Sequence, residues 1–139
     1  MSQKINPALR PDVATRAKFC CEYCLAPEIY LATTFHIDHI RSIKHRGKTV
    51  LSNLAFTCPP YNQNKGTDVA TYVDEDENSL TRLFNPRKDF WNDHFEINEG
   101  WILAKSKIGT ATIQVLDMNQ IERVLFRRQL TIAGFYPLS

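Results

Sequence analysis

Three cysteines constrain how this chain folds more tightly than any other feature. In "CCEYC", Cys21 and Cys24 form a C-x-x-C turn, and thirty-three residues separate Cys24 from Cys58. Two such turns parted by a loop are the usual way to gather four soft ligands into a closed tetrahedral zinc site. The second turn here is "CPPY", so Tyr61 stands where the fourth cysteine would be. A phenol deprotonates only near pH ~10 and is a poor zinc ligand. Three outcomes stay open. Zinc binds through Cys21, Cys24 and Cys58 with a water, Cys20 or a nearby histidine. Alternatively, zinc is lost, Tyr61 fills the space and the cysteines pack as small apolar residues. The third outcome is a disulfide, which a reducing compartment disfavours. Loss or weak occupancy is the favoured outcome.

The opening "MSQKINPALRPDV" has no apolar segment of a secretory signal, which sets a cytoplasmic default. No apolar run approaches membrane-spanning length, so no membrane partner is expected. The length of 139 residues, with 43% apolar and 23% charged, suits a single compact globular domain. Charge is uneven. Residues 1–68 hold nine Lys/Arg against five Asp/Glu, and residues 69–139 hold eight against ten. A basic first half fits a phosphate-facing surface.

The pattern along the chain is mixed α+β. A helix is expected from Pro11 to about Phe19. "YLATTFHI" (Tyr30–Ile37) reads as a strand, and "NLAFT" (Asn53–Thr57) as a second one. "PPYNQNKG" fits a short helix with Pro60 near its start and Gly66 after its end. "DEDEN" (Asp74–Asn78) reads as a turn. "SLTRLF" reads as a strand, "RKDFWNDHF" as a turn or helical segment, and "FEINEGWILAKS" as a hairpin about Glu99-Gly100. Two helices follow, "TATIQVLDM" and "QIERVLFRRQLTIAG". In the last, Ile121, Val124, Leu125, Leu130 and Ile132 make an apolar stripe.

"FHIDHI" sets Asp38 and His39 at the end of an apolar strand. Polar groups there are costly without partners or a task. Neighbouring strand residues face opposite ways, so the strand must open into a loop at the pair if both serve one site. Phosphodiester hydrolysis needs such a set. A hard cation takes oxygen ligands, and a carboxylate plus a side-chain amide supply them. A separate base must activate water, and histidine suits neutral pH. Asp38 can be the carboxylate, Asn62 the amide and His39 the base. Asn53 can hold the loop that aims the imidazole. Lys65, one turn after Asn62, can grip a phosphate.

These motifs carry a resemblance. The C-x-x-C, then "IDHI", "NLAFTC" and "YNQNKG", in that order over residues 16–66, resemble the HNH endonucleases of the ββα-metal fold. Thirteen residues separate His39 from Asn53, and eight separate Asn53 from Asn62. The tail, from "LFNPRKDFWNDHF" through "IGTATIQVLDMNQIERV", looks like that of a group of small bacterial HNH proteins. The resemblance implies an α+β protein: a ββα-metal core over 1–70 with an N-terminal helix and cysteine knuckle, and a C-terminal strand/helix extension over 71–139 packed on it. It implies Asp38 and Asn62 as ligands of a catalytic Mg²⁺, Mn²⁺ or other divalent ion, His39 as general base and Asn53 as the orienting residue. It also implies DNA as substrate, with 3′-hydroxyl and 5′-phosphate ends.

Arg41, Lys44, His45, Arg46 and Lys48 form a basic loop between the two strands that can contact backbone phosphates. Two rival functions are carried alongside. One is a module that binds nucleic acid without cutting it. The other is a nuclease subunit whose half from residue 69 onward docks into a homodimer or larger assembly.

Overall fold

The computed structural model of the chain describes residues 5–74 and 78–138. It is a mixed α+β protein. A 3₁₀ turn, Pro7–Leu9, leads into helix α1, Arg10–Arg16. The cysteine turn follows, and the chain then enters β1, His36–His39. A loop returns it as β2, Leu54–Thr57, antiparallel to β1 with Asp38 opposite Ala55 and His39 opposite Leu54. Helix α2, Pro59–Lys65, starts immediately after Cys58 and stops at Gly66, whose φ of 51° suits a residue without a Cβ.

The expected strand from Tyr30 to Ile37 is shorter and later. Residues Glu28–Tyr30 form a 3₁₀ turn, and pairing begins only at His36. Side chains take the bonds that a ladder would have made. The Phe35 N–H donates to Glu28 Oε2 at 2.8 Å, and Arg10 Nη2 donates to the Phe35 carbonyl at 2.8 Å. β2 is four residues long and offers no further partner.

In the second half, β3, Ala70–Thr71, pairs with β4, Thr81–Arg82. Only these two residues of "SLTRLF" are extended into a strand. The expected "DEDEN" turn falls on residues 75–77, outside the described residues. Asp74, at its edge, pairs with Lys107 at 2.8 Å. A short helix α3, Trp91–His94, leads into the hairpin β5, Phe95–Asn98, and β6, Trp101–Ala104. Its two-residue turn, Glu99-Gly100, has φ of 49° and 87°, the left-handed pair that matches strand twist. Helices α4, Lys107–Leu116, and α5, Ile121–Ile132, close the fold.

The core joins both halves. Phe35, Leu54 and Phe56 behind the first hairpin belong to one buried cluster with Phe84, Phe95, Ile102 and Leu116. The apolar residues expected on α5 fall on a helix, Ile121–Ile132, and divide between two faces. Val124 and Leu130 are buried, but Ile121, Leu125 and Ile132 are 53%, 46% and 82% exposed. The inward face instead carries two arginines. Arg127 is 1% exposed, and Arg123 reaches the cysteines.

Candidate active site and cysteine cluster

β1 and α2 lie side by side, and their facing residues bond in pairs. Asn62 Nδ2 meets His36 Nδ1 at 3.0 Å. One turn on, Lys65 Nζ sits 3.3 and 3.2 Å from the two carboxylate oxygens of Asp38, and donates to the His39 carbonyl at 2.9 Å. The Tyr23 hydroxyl donates to Asp38 Oδ2 at 3.2 Å. Asp38 and Lys65 are 3% and 2% exposed. Burial pushes the Asp38 carboxyl above its ordinary value, and Lys65 and Tyr23 offset only part of that. The expectation that Lys65 faces a phosphate is corrected. Its ammonium is turned inward as the counter-charge of Asp38.

His39 lies at the open end of β1. Its Nε2 is 2.8 Å from Thr49 Oγ1. No protein group among the described residues bonds Nδ1. When Nε2 carries the proton toward Thr49, Nδ1 keeps a free lone pair. Burial first, and Lys65 second, lower the imidazole below its ordinary value and favour the neutral ring. Thr49 was not singled out from the sequence, because one threonine in a basic loop carries no signal.

Asn53 clasps the loop between the strands. Its Oδ1 accepts from Arg41 N at 2.9 Å, and its Nδ2 donates to the carbonyls of Arg41 and Lys48 at 2.8 and 2.9 Å. The Asn53 carbonyl accepts from Ile40 N at 2.9 Å. Gly47 is buried inside this clasp, where a Cβ would overlap the Arg41 carbonyl and crowd the Asn53 amide. Arg41, Lys44, Arg46 and Lys48 are exposed around the loop. Asp38, His39 and Asn62 line one cleft of about 350 Å³, with Ser42, Lys44 and Gly66 on its walls.

Among the side chains of the cleft, Asp38 is engaged by three contacts from Lys65 and Tyr23, and Asn62 turns its amide nitrogen to His36. A carboxylate and an amide are the oxygen-bearing groups that could hold a hard divalent cation there.

Behind the hairpin, Cys21, Cys24 and Cys58 are all fully buried, and their sulfurs lie within 4.8 Å of one another, close enough to share an ion. Cys21 Sγ accepts backbone N–H groups from Tyr23, Cys24 and Cys58 at 3.4, 3.5 and 3.5 Å. The Cys24 and Cys58 sulfurs are 3.8 Å apart. All four cysteines are free thiols, and Cys20 points instead to the Lys18 carbonyl at 3.5 Å. Burial pushes the three clustered thiols up, Cys21 to about 12. At Cys24, hydrogen bonds from Cys21 and Cys58 and the charges of Arg123 and Arg127 outweigh burial and hold the thiol well below its ordinary value. With sulfurs this close, that shift belongs to the trio as a unit.

A β-hairpin followed by a helix thus brings a carboxylate, an imidazole and an amide to one cleft. Residues 21–68 match the family model described as HNH endonuclease, so the chain carries an HNH segment. The chain is also 32% identical over 104 residues to the Septu protein PtuA of Bacillus mycoides (strain KBAB4). That stretch is 69% of this chain and 14% of PtuA, so the chain spans only a small part of that relative's length. The likeness to PtuA takes in residues beyond the HNH segment. No solved structure matches. Among the described residues, no helix is long and apolar enough to cross a membrane.

Proposed function

We propose that the chain is a metal-dependent HNH endonuclease that hydrolyses DNA phosphodiester bonds to 3′-hydroxyl and 5′-phosphate ends. One observation carries this reading: Asp38, His39 and Asn62 line the same cleft, and His39 Nδ1 has no protein partner among the described residues. His39 takes the proton of the attacking water at Nδ1. Thr49 fixes the ring, and Asn53 fixes the loop that carries it. Asp38 and Asn62 would hold Mg²⁺ or Mn²⁺, which would supply stabilisation of charge on the phosphate and the leaving oxygen. Arg41, Lys44, Arg46 and Lys48 position the DNA backbone. One such site per chain gives a nick as the simplest product. On this reading the chain is a cytoplasmic protein, with a nuclease core over 1–70 and a supporting extension over 71–139 in one unit.

Plasmid nicking tests it. Supercoiled DNA with Mg²⁺ or Mn²⁺ should be nicked by the native chain, not in chelator, and His39→Ala should lower the rate at least ~100-fold. Equal cleavage by both chains would sink the assignment of the base. Binding of DNA by the native chain with no cleavage would favour the non-cutting module. A second reading, a nuclease subunit in a homodimer or larger assembly, is favoured by Ile121, Leu125 and Ile132, which recur along the outer face of α5 and are all exposed. Light scattering of the chain at increasing concentration tests the homodimer, with a monomer at all concentrations counting against it.

A further inference from the structure

The knuckle raises a question that the cleft does not answer: what closes it. A structural zinc site takes four protein donors at tetrahedral vertices. Three sulfurs are present. The residue at the fourth place, Tyr61, turns its hydroxyl away, donating to the Met118 carbonyl at 3.4 Å and accepting from Arg127 Nη1 at 3.1 Å. Cys20 is engaged elsewhere. The three cysteines and Tyr61 are at most 1% exposed, so the cluster is closed to a bulk water as fourth ligand.

What reaches the cluster is α5. Arg123 and Arg127 lie one turn apart and both point inward. Arg123 Nη2 donates to Cys58 Sγ at 2.7 Å, and its guanidinium carbon lies 5.3 Å from the centre of the Tyr61 ring. Its Nε is buried with no hydrogen-bond partner. Arg127 donates to the carbonyls of Gly100 and Met118 at 2.7 and 3.1 Å, and to Asn119 Oδ1 at 3.0 Å. Among the described residues neither arginine pairs with a carboxylate. Taking a guanidinium even partly out of water is costly without compensation, and for the half-buried Arg123 the partners are a sulfur and an aromatic face. Other contacts from the C-terminal half grip the same knuckle. Tyr136 donates to the Cys24 carbonyl at 2.6 Å, and Trp91 Nε1 to the Tyr23 carbonyl at 2.8 Å.

We infer that the knuckle is closed by α5 instead of by zinc. Arg123 supplies the positive charge against the three cysteines, and Tyr61 with Arg127 fills the place of the fourth ligand. The donor set is one short of a structural zinc site, and a divalent ion in it would sit beside a guanidinium already bonded to one of its ligands. The C-terminal extension is therefore the clamp that a metal provides in a four-cysteine knuckle. This inference stands apart from the nuclease reading, because it concerns only how the scaffold is held.

The test uses the full chain, purified without added metal, and Co²⁺ as probe. Thiolate ligation of Co²⁺ gives an intense near-ultraviolet charge-transfer absorption that oxygen and nitrogen donors in the cleft do not give. The native chain should show no such absorption, zinc well below one ion per chain by elemental analysis, and an unchanged melting temperature in strong chelator. A full zinc complement with the cobalt–thiolate band and chelator-sensitive melting would overturn the inference, with Arg123 then neutralising a three-thiolate zinc complex. Arg123→Met should lower the melting temperature by about 5 °C or more; melting like the native chain would equally overturn it. Should that variant not fold, the cobalt titration of the native chain still decides.

Discussion

The cleft and the knuckle are built from the same parts and put to different use. Each sets a cation turned inward against a group that carries or shares negative charge: the buried Lys65 against Asp38, and the half-buried Arg123 against Cys58. In the cleft, Asp38 lines an opening together with His39, Asn62 and Lys44 of the basic loop. In the knuckle, no member of the cluster meets solvent, and both arginines come from a helix distant in sequence. An open site leaves acceptor positions for a ligand. A closed site satisfies them internally and contributes only to holding the fold.

That contrast predicts where substitutions act. The largest effect on stability should come from Arg127→Met. The side chain serves four acceptors. Although the Met118 carbonyl and Asn119 Oδ1 keep second donors in Tyr61 and Ile102, the Gly100 carbonyl loses its side-chain donor and a buried guanidinium cage is emptied, at a cost of about 4 kcal/mol. Denaturant unfolding measures this, and a cost below about 1 kcal/mol would show that the knuckle is not where the C-terminal half is anchored. Next is Lys65→Met, which leaves the buried Asp38 carboxylate without its counter-charge and with only the Tyr23 hydroxyl as donor, and should cost about 3 kcal/mol. Here the open cleft gives a second readout. A divalent cation can take over the counter-charge of Asp38, so added Mg²⁺ should stabilise Lys65→Met more than the native chain. Equal stabilisation of the two would separate Lys65 from the cation site. The same addition should leave Arg127→Met as unstable, relative to the native chain, as it was before.

The sequence was legible where local rules and tertiary packing agree. The helix over Pro59–Lys65 follows from proline at its start and Gly66 at its end, and the second hairpin from alternation about Glu99-Gly100. Asp38, His39, Asn53 and Asn62 stood out because polar groups at the edges of short apolar runs need a reason. The misreadings share one physical cause. Apolar periodicity on α5 assumes that charged residues face water, but Arg123 and Arg127 face Cys58 and Tyr61, partners that no local pattern announces. Lys65 was read as a free phosphate ligand for the same reason, since its partner Asp38 comes from another element. The apolar run from Tyr30 reads as strand by composition, but a strand lasts only as long as its partner. Thr49 and Tyr23 act through one hydrogen bond each and leave no trace in the order of residues.

Gly47→Ala probes the rim of the cleft and should have an intermediate effect. The added methyl displaces the Arg41 carbonyl and opens the Asn53 clasp, for about 2 kcal/mol. Because the clasp aims the loop that carries Thr49, nicking activity should fall with stability. A knuckle variant of equal cost should keep its activity at temperatures where it stays folded. Full activity in Gly47→Ala would detach the loop from the catalytic arrangement.

The smallest effect should come from a charge pair outside both regions, which serves as the reference for the other two. Asp89 accepts from Arg82 at 2.7 and 3.0 Å and from the Asn85 N–H at 2.9 Å, tying β4 to the turn before α3. Arg82 is 53% exposed on its side chain, so water screens the pair. Asp89→Asn should cost about 1 kcal/mol at neutral pH. The hydrogen bond from Arg82 holds the Asp89 carboxyl below its ordinary value. A carboxyl depressed by folding adds stability above its unfolded value near pH ~4, and that stability is lost as pH falls through the folded value. The gap between native and Asp89→Asn should therefore narrow as pH drops below ~4. The Arg127→Met gap should narrow less there, because the hydrogen-bond acceptors of Arg127 are carbonyls, an amide oxygen and a phenol that do not titrate in this range. If the two gaps narrowed together, the knuckle arginines would be acting mainly through a titrating group, and the distinction between a screened surface pair and a closed hydrogen-bonded cage would fail.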